Sequence, residues 1–411
     1  MLKSLTGRLL AGIAVTFMTS INPASARPSG TPEQELAEYS ALLGDDIYHR
    51  HADEGTNLVF SPLSIHTALL MTSAGAAGDT LAGMQKTLGL NFRYLRDPHA
   101  TMGPVLASLR HVGKPAADPA AAYQLTISNN LWLQQGYPVK PAFTAILKRD
   151  YQAEIASLNF QKEPDAARQT INDAVAKQTN DKIKDLLPPG TIDPLTHLVL
   201  TNAVYFKSDW LSTFYAGATK DAPFHTLDGK TANVPTMNQR HTFGYFEDQS
   251  LKMLELPYQG RQLSMLVILP IGASPNTNLE SLGKALDQLP TWIDGLKPRA
   301  VTVALPRFKF SSTLNLASDL PDMKDAFTDK ADFSGITSHE KLHISAIVHQ
   351  AMIAVDENGT EAAAATGMAV GAAAARKEPE PAEFIADHPF LFAIRHNATG
   401  AILFLGRVAT P

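Results

Sequence analysis

The chain has no cysteine among its 411 residues. That excludes disulfides, thiol catalysis and thiolate zinc sites together, and it suits export, where a free thiol is a liability. It has no Lys/Arg-rich run, and its formal charge is only −5, so neither nucleic acid nor an anionic membrane is an expected partner. Beyond the N-terminus no apolar stretch reaches the roughly 20 residues of a bilayer span. Charged residues make up only 18% and hydrophobic residues 45%, a balance that points to a packed globular chain rather than disorder.

Enzyme signatures are missing too. There is no G-x-S-x-G elbow and no H-E-x-x-H helix. Gly229-Lys230-Thr231 lacks the glycine that a phosphate loop needs five positions earlier, where Phe224 stands. His49 and His51 diverge around a helix end, and His339, His343 and His349 have no carboxylate at ligand spacing. No catalysis, cofactor or metal is expected.

The N-terminus combines basic Lys3 and Arg8, an apolar run from Leu9 to Met18 and the small-residue site Ala24-Ser25-Ala26. This is the pattern of a cleaved secretory signal over 1–26, with an apolar run too short for an anchor. Cleavage near Ala26 starts the mature chain at Arg27, and loss of Lys3 and Arg8 takes the formal charge from −5 by two more, to −7. The expected product is a secreted (extracellular or periplasmic) soluble protein.

Along the mature chain, Thr31-Pro32-Glu33 opens a helix over 32–51. Helices are also expected from Leu63 to Ala74, from Asp79 or Thr80 as cap to Leu88, over Lys140–Tyr151, over Pro164–Lys184 and around Leu279–Leu289. Ser312–Leu320 and Met323–Phe327 read as helical. Tyr123–Leu133 alternates as a strand, while Leu198–Phe206 is nearly continuous apolar and reads as a strand buried on both faces. Residues 91–122 show little pattern. Helices crowd the first half and strands the second, which gives an α+β class, and no linker divides 27–411.

One stretch stands apart. From Ala362 to Ala375 nothing is charged and almost every side chain is small, too apolar for a solvated loop and too small-chained for an ordinary core strand. In a strand, alternate residues share a face. Thr360, Ala362, Ala364, Thr366, Met368 and Val370 make one uncharged face; the other carries only Glu361 as a charge. A charge on the first face would cost several kcal/mol to bury, of the order of 3 kcal/mol or more. Gly359, Gly367 and Gly371 argue against a helix here. The 14 residues Thr360–Ala373 inserted as a strand carry their end roughly 45 Å.

Longer motifs identify a family. In order they are Asn57-Leu58-Val59-Phe60-Ser61-Pro62-Leu63-Ser64-Ile65; Asn202-Ala203-Val204-Tyr205-Phe206-Lys207 with Trp210; Leu256-Pro257-Tyr258; Leu305-Pro306-Arg307-Phe308-Lys309; Ala331-Asp332-Phe333-Ser334-Gly335-Ile336; and Asp387-His388-Pro389-Phe390-Leu391-Phe392. From about Glu35 to Val408 the chain resembles the serpins, the serine protease inhibitor superfamily. The resemblance implies one domain of three β-sheets and eight or nine helices with an exposed reactive-centre loop at about 357–383. It implies a metastable, monomeric suicide substrate: a protease forms an acyl-enzyme on the loop, which then inserts into the central sheet and drags the protease with it. It assigns Glu357, Gly359, Thr360, Ala362, Ala363, Ala364, Ala365 and Thr366 to the hinge of inhibitory members. Trp210 and Arg307 fall at the top of the sheet, with Arg307 expected to pair with Glu357. Ser61, Ser64, Asn202 and His349 fall in a polar cluster beneath the sheet that must open.

The scissile bond stays open at this level. Counting forward from Glu357 gives Ala373-Ala374; counting back from Asp387 gives Arg376-Lys377. Ala suits an elastase-like serine protease and Arg a trypsin-like one; the forward count, which sets the inserting length, favours the elastase-like partner. A non-inhibitory binding or carrier role is the competing class, but the hinge lacks the charged, bulky or proline residues such members often have. The export signal, absence of cysteine and Ala-rich composition lean towards a bacterial source.

Overall fold

A computed structural model describes residues 30–52, 55–90, 95–109, 123–153, 155–272, 279, 281–283, 285–338, 342–360 and 380–411. The expected signal segment 1–26, the expected hinge residues Ala362–Thr366, and the candidate cleavage residues Ala373, Ala374, Arg376 and Lys377 lie outside the described residues. Thr31–Pro411 is one compact unit.

The main helices are α1 (Pro32–Arg50), α2 (Pro62–Ser73), α3 (Gly78–Thr87), α4 (Pro98–Leu109), α5 (Pro141–Ile146, running on as a π-turn to Tyr151), α6 (Pro164–Gln178) and α7 (Leu289–Asp294). The strands of the first half are β1 (Leu58–Phe60), β2 (Tyr123–Gln134), β3 (Ile155–Leu158) and β4 (Leu198–Asp209). Those of the second are β5 (Lys220–His225), β6 (Thr231–Glu247), β7 (Leu251–Pro257), β8 (Leu263–Pro270), β9 (Lys297–Pro306), β10 (Phe308–Asn315), β11 (Ile344–Val355), β12 (Gly359–Thr360), β13 (Ala382–Ile385), β14 (Phe390–His396) and β15 (Ile402–Val408).

One sheet has six strands in the order β10-β11-β12-β4-β2-β3, with β11 also paired directly to β4. The other strands form a network β1-β15-β14-β8-β7-β6-β9-β13, with β5 beside β6. The 17-residue β6 pairs with β5 and β9 along its length and with β7 only at Gly244–Glu247. The two smaller sheets of the expected three are therefore continuous through one long strand.

The apolar run of β4 explains its central place. Leu198, Leu200, Val204 and Phe206 enter the main core, while Val199 and Ala203 enter a second core with Trp132, Phe160, Ile171 and Val175. The alternate residues of one strand thus feed two cores, as period-two geometry requires. On the main-core side lies α2, buried along its whole length; on the other lies the apolar stripe of α6.

Several expected elements differ. Ser312–Leu320 is not a helix at its start: Phe308–Asn315 is β10, antiparallel to β11, with Phe308 and Phe310 packed on Phe392. The predicted helix to Lys184 stops at Gln178, because Asn180 and Asp181 take left-handed conformations (φ 52° and 59°). Neither Asp79 nor Thr80 caps α3. Ala77 holds that position, and the Thr80 hydroxyl instead accepts from the Asp332 N–H at 2.9 Å. The helix expected around Leu279–Leu289 has its described regular part later, with Pro290 in the first turn of α7. Helix α4 emerges within the stretch that showed little pattern.

Candidate functional site

The site is the seam between β4 and β11. Over Ile344–Ala351 these strands pair in parallel with Leu198–Val204. Beyond that the direct pairing ceases and β12 stands between them. Thr360 lies opposite Val355 on one side and Ser208 on the other, and Gly359 lies opposite Asp209. The chain has started a new antiparallel strand in the mouth of the seam.

A tight reversal puts it there. The Asp356 carboxylate accepts from the N–H groups of Asn358 (2.8 Å) and Gly359 (3.3 Å), an Asx-type turn. Gly359 is required at this point: a Cβ would stand 2.0 Å from the Ser208 carbonyl oxygen. Thr360 is 1% exposed, and its hydroxyl shares a 2.6 Å hydrogen bond with Tyr258.

Trp210 holds the turn from the β4 side. Its N–H donates to the Asn358 carbonyl (2.7 Å) and its indole N–H to the Asp356 carbonyl (2.9 Å), while its ring stacks on Tyr258 at 4.5 Å and 15°. Glu357, 5% exposed, takes two hydrogen bonds from the Arg307 Nε at 2.8 and 2.9 Å and one from the Thr219 hydroxyl. Burial works against its charge, but the bonds from Arg307 and Thr219 outweigh burial and hold the carboxyl below its usual range.

Deeper along the seam, His349 of β11 faces Asn202 of β4 in register. The His349 Nε2 accepts from the Ser61 N–H at 3.0 Å, so its Nδ1 carries the proton and donates to the Asn202 Oδ1. The Asn202 amide donates to the Ser64 carbonyl at 3.0 Å and to the Asn129 Oδ1. Ser61 caps α2 by accepting from the Ser64 N–H at 3.2 Å. The imidazole is fully buried, and burial pushes its pKa down to about 3. The cluster is neutral and spans both strands and the helix beneath them.

Glu357, Arg307 and Trp210 thus meet at the mouth with Gly359 and Thr360, and Ser61, Ser64, Asn202 and His349 meet below them. Thr219, Tyr258, Asp356 and Asn129 join them, four residues to which the sequence alone assigns no role. Asn129 is opposite Asn202 across β2 and β4, a relation that needs the strand register. Tyr258 belongs to a recognised motif, but its use depends on the ring beside it.

The family model described as serpin (serine protease inhibitor) matches residues 39–411. The leukocyte elastase inhibitor of Bos taurus is 41% identical over 364 residues, 86% of this chain and 93% of the relative. An uncharacterized serpin-like protein of Thermococcus kodakarensis is 40% identical, covering 89% of this chain and 83% of the relative. The solved structure of uncleaved ovalbumin superposes with a TM-score of 0.81 at 31% identity, over 92% of this chain and all of that one.

Proposed function

The chain belongs to the serpin family, and from that premise we propose that it is a suicide-substrate inhibitor of serine endopeptidases. Cleavage of its loop leaves the protease as an acyl-enzyme, and the loop inserts between β4 and β11 before the ester is hydrolysed. The observation that carries this reading is the Gly359–Thr360 strand already seated in the mouth of the seam.

Extending both registers gives the length of insertion. Beside the 12-residue β11, the segment from Thr360 to Gly371 fills the slot down to Ile344, with Val370 coming opposite Leu198 on β4. At about 3.3 Å per residue this is roughly 40 Å of travel. Glu361 is the only charge in that segment. A bond at Ala373-Ala374 leaves a two-residue tether beyond the slot, and Arg376-Lys377 leaves five. The shorter tether holds the protease harder against the foot of the sheet, which favours Ala373.

Alanine fits the small pocket of elastase-like enzymes, and the resemblance to leukocyte elastase inhibitors supports that class. A trypsin-like target cut after Arg376 is the second reading, favoured by the backward count from Asp387. A carrier role would leave the uncharged, small-chained run Ala362–Thr366 without a use.

The same proposal includes export as a monomer after cleavage near Ala26, to the extracellular space or a periplasm. Among the described residues no helix is long and apolar enough to cross a membrane. N-terminal sequencing of the exported chain should begin at Arg27.

The deciding experiment mixes the protein with an elastase-like and a trypsin-like protease. A denaturing gel should show a covalent complex, and the released peptide should begin at Ala374. Clean loop cleavage by both enzymes with no covalent complex would overturn the mechanism; a peptide beginning at Lys377 would overturn the choice of bond.

A further inference from the structure

Two histidines close the other end of the same seam. His197 immediately precedes β4 and His343 immediately precedes β11, next to the first rung, Leu198 opposite Ile344. Their Nδ1 atoms are 3.3 Å apart and their rings 4.6 Å apart at 73°. The His197 N–H donates to the Ser345 hydroxyl of β11 at 2.9 Å, so its backbone is pinned to the neighbouring strand. Asp329 presents Oδ1 3.7 Å from the His343 Nδ1. The His343 side chain is 19% exposed and that of Asp329 76%, so solvent reaches the group.

We propose that His197, His343 and Asp329 bind a divalent transition metal, zinc in the first instance, that clips β4 to β11 at the foot of the insertion slot. Zinc takes imidazole nitrogens at about 2.0–2.1 Å, and the edge of such a tetrahedron is about 3.3–3.4 Å. The two Nδ1 atoms already stand at that separation. Among the described residues no group of three or more His, Cys, Asp or Glu side chains is placed to hold a metal ion as it stands, so Asp329 has to swing in, which its exposure allows. Water takes the fourth position. Two imidazoles and one carboxylate select zinc, cobalt, nickel or copper over magnesium or calcium. His343 showed no carboxylate at ligand spacing because its partners stand 146 and 14 residues away in the chain; strand pairing brings up His197 and the turn at Thr328–Lys330 brings up Asp329.

The consequence for inhibition rests on the insertion mechanism proposed above. A strand inserted as far as Leu198 and Ile344 moves the two chains apart by one strand spacing, about 4.8 Å. The nitrogens then cannot share one ion. Metal therefore binds the uninserted form and weights it against insertion. At 100 times its Kd, that weight is about 100-fold.

The test titrates the full chain, without an added histidine tag, with zinc against a chromophoric chelator and with cobalt by visible absorption. One high-affinity site is expected, weakened at least about tenfold in His343→Ala and in His197→Gln. Both residues are partly exposed, and near-UV circular dichroism checks that each variant folds. The loop-cleaved chain should lose the site, and zinc should raise the stoichiometry of inhibition reversibly with chelator. Wild-type affinity in both variants overturns the site. Equal zinc affinity in intact and loop-cleaved, hyperstable protein overturns the clip. A cleaved chain that melts where the intact chain melts would instead overturn the insertion mechanism, while the titration of the intact chain decides the metal site by itself.

Discussion

His349 and Asn202 face each other across the β4–β11 seam and are joined by the imidazole Nδ1–H, on the two strands that the proposed insertion would separate. The ring serves this bond only when neutral at Nε2, where it accepts from the Ser61 N–H. Its pKa of about 3 in the native chain compares with about 6.5 in an unfolded one. Above pH 6.5 both states hold a neutral ring and the native state has its full stability. As pH falls from 6.5 towards 3, the unfolded chain takes up a proton that the native chain refuses, and stability is lost. The slope is up to about 1.4 kcal/mol per pH unit. His66, fully buried and pushed to about 4 by burial, adds a similar loss over pH 6.5 to 4. The stability advantage of wild type over His349→Asn in urea unfolding should therefore shrink steadily over that range; a constant difference would rule this account out.

Thr360→Arg places a guanidinium where Thr360 is 1% exposed and bonded to Tyr258. Burying that charge without a partner costs of the order of 3 kcal/mol or more. The hinge should leave the mouth, and the variant should become a substrate, turned over with little covalent complex. A normal yield of SDS-stable complex would show that Thr360 need not enter the sheet.

Arg307 and Glu357 are unequal partners, with side chains 45% and 6% exposed. Arg307→Ala strands a carboxylate in a buried site, whereas Glu357→Gln leaves a cation that water can still reach. Removing the arginine should be the more costly change, about 1–3 kcal/mol. Because the native carboxyl titrates below its ordinary value of 4.5, its contribution is complete above pH 4.5 and fades as pH falls through the lower native value. A double-mutant cycle at pH 7 and pH 3 should give a coupling that is smaller in acid. Equal costs for the two single changes would contradict the burial asymmetry.

What the sequence made legible follows from where the controlling contacts lie. β4 could be read because both its faces are apolar, a property of its own residues. β10 could not: Ser311, Ser312 and Thr313 interrupt its alternation, and the rings that hold Phe308 and Phe310 come from Phe392 on β14. Helix α4 was hidden by Gly103 and Pro104 within it. At the site, Ser61, Ser64, Asn202, Trp210 and Arg307 were reachable because long motifs carry them, and Glu357 and His349 because the family resemblance assigns them. Asn129 and Thr219 were not, since their parts depend on strand register and on a loop brought back 138 residues along the chain.

The place of cleavage can be set against the register. On the proposed insertion, the register of Thr360 opposite Val355 and Ser208 would bring Gly371 to the last rung of β11 at Ile344, and Ala373 would end the shorter tether. Ala373→Arg should then redirect the inhibitor from elastase-like to trypsin-like proteases while leaving the length of the inserted strand, and hence the stoichiometry, unchanged. Arg376→Ala should leave elastase inhibition at the wild-type rate, because that side chain lies beyond the broken bond. The check is a pair of second-order inhibition rates for each variant, with the mass of the released peptide. If Arg376→Ala abolished inhibition and Ala373→Arg changed nothing, the bond would be Arg376-Lys377, and the slot would tolerate the longer tether.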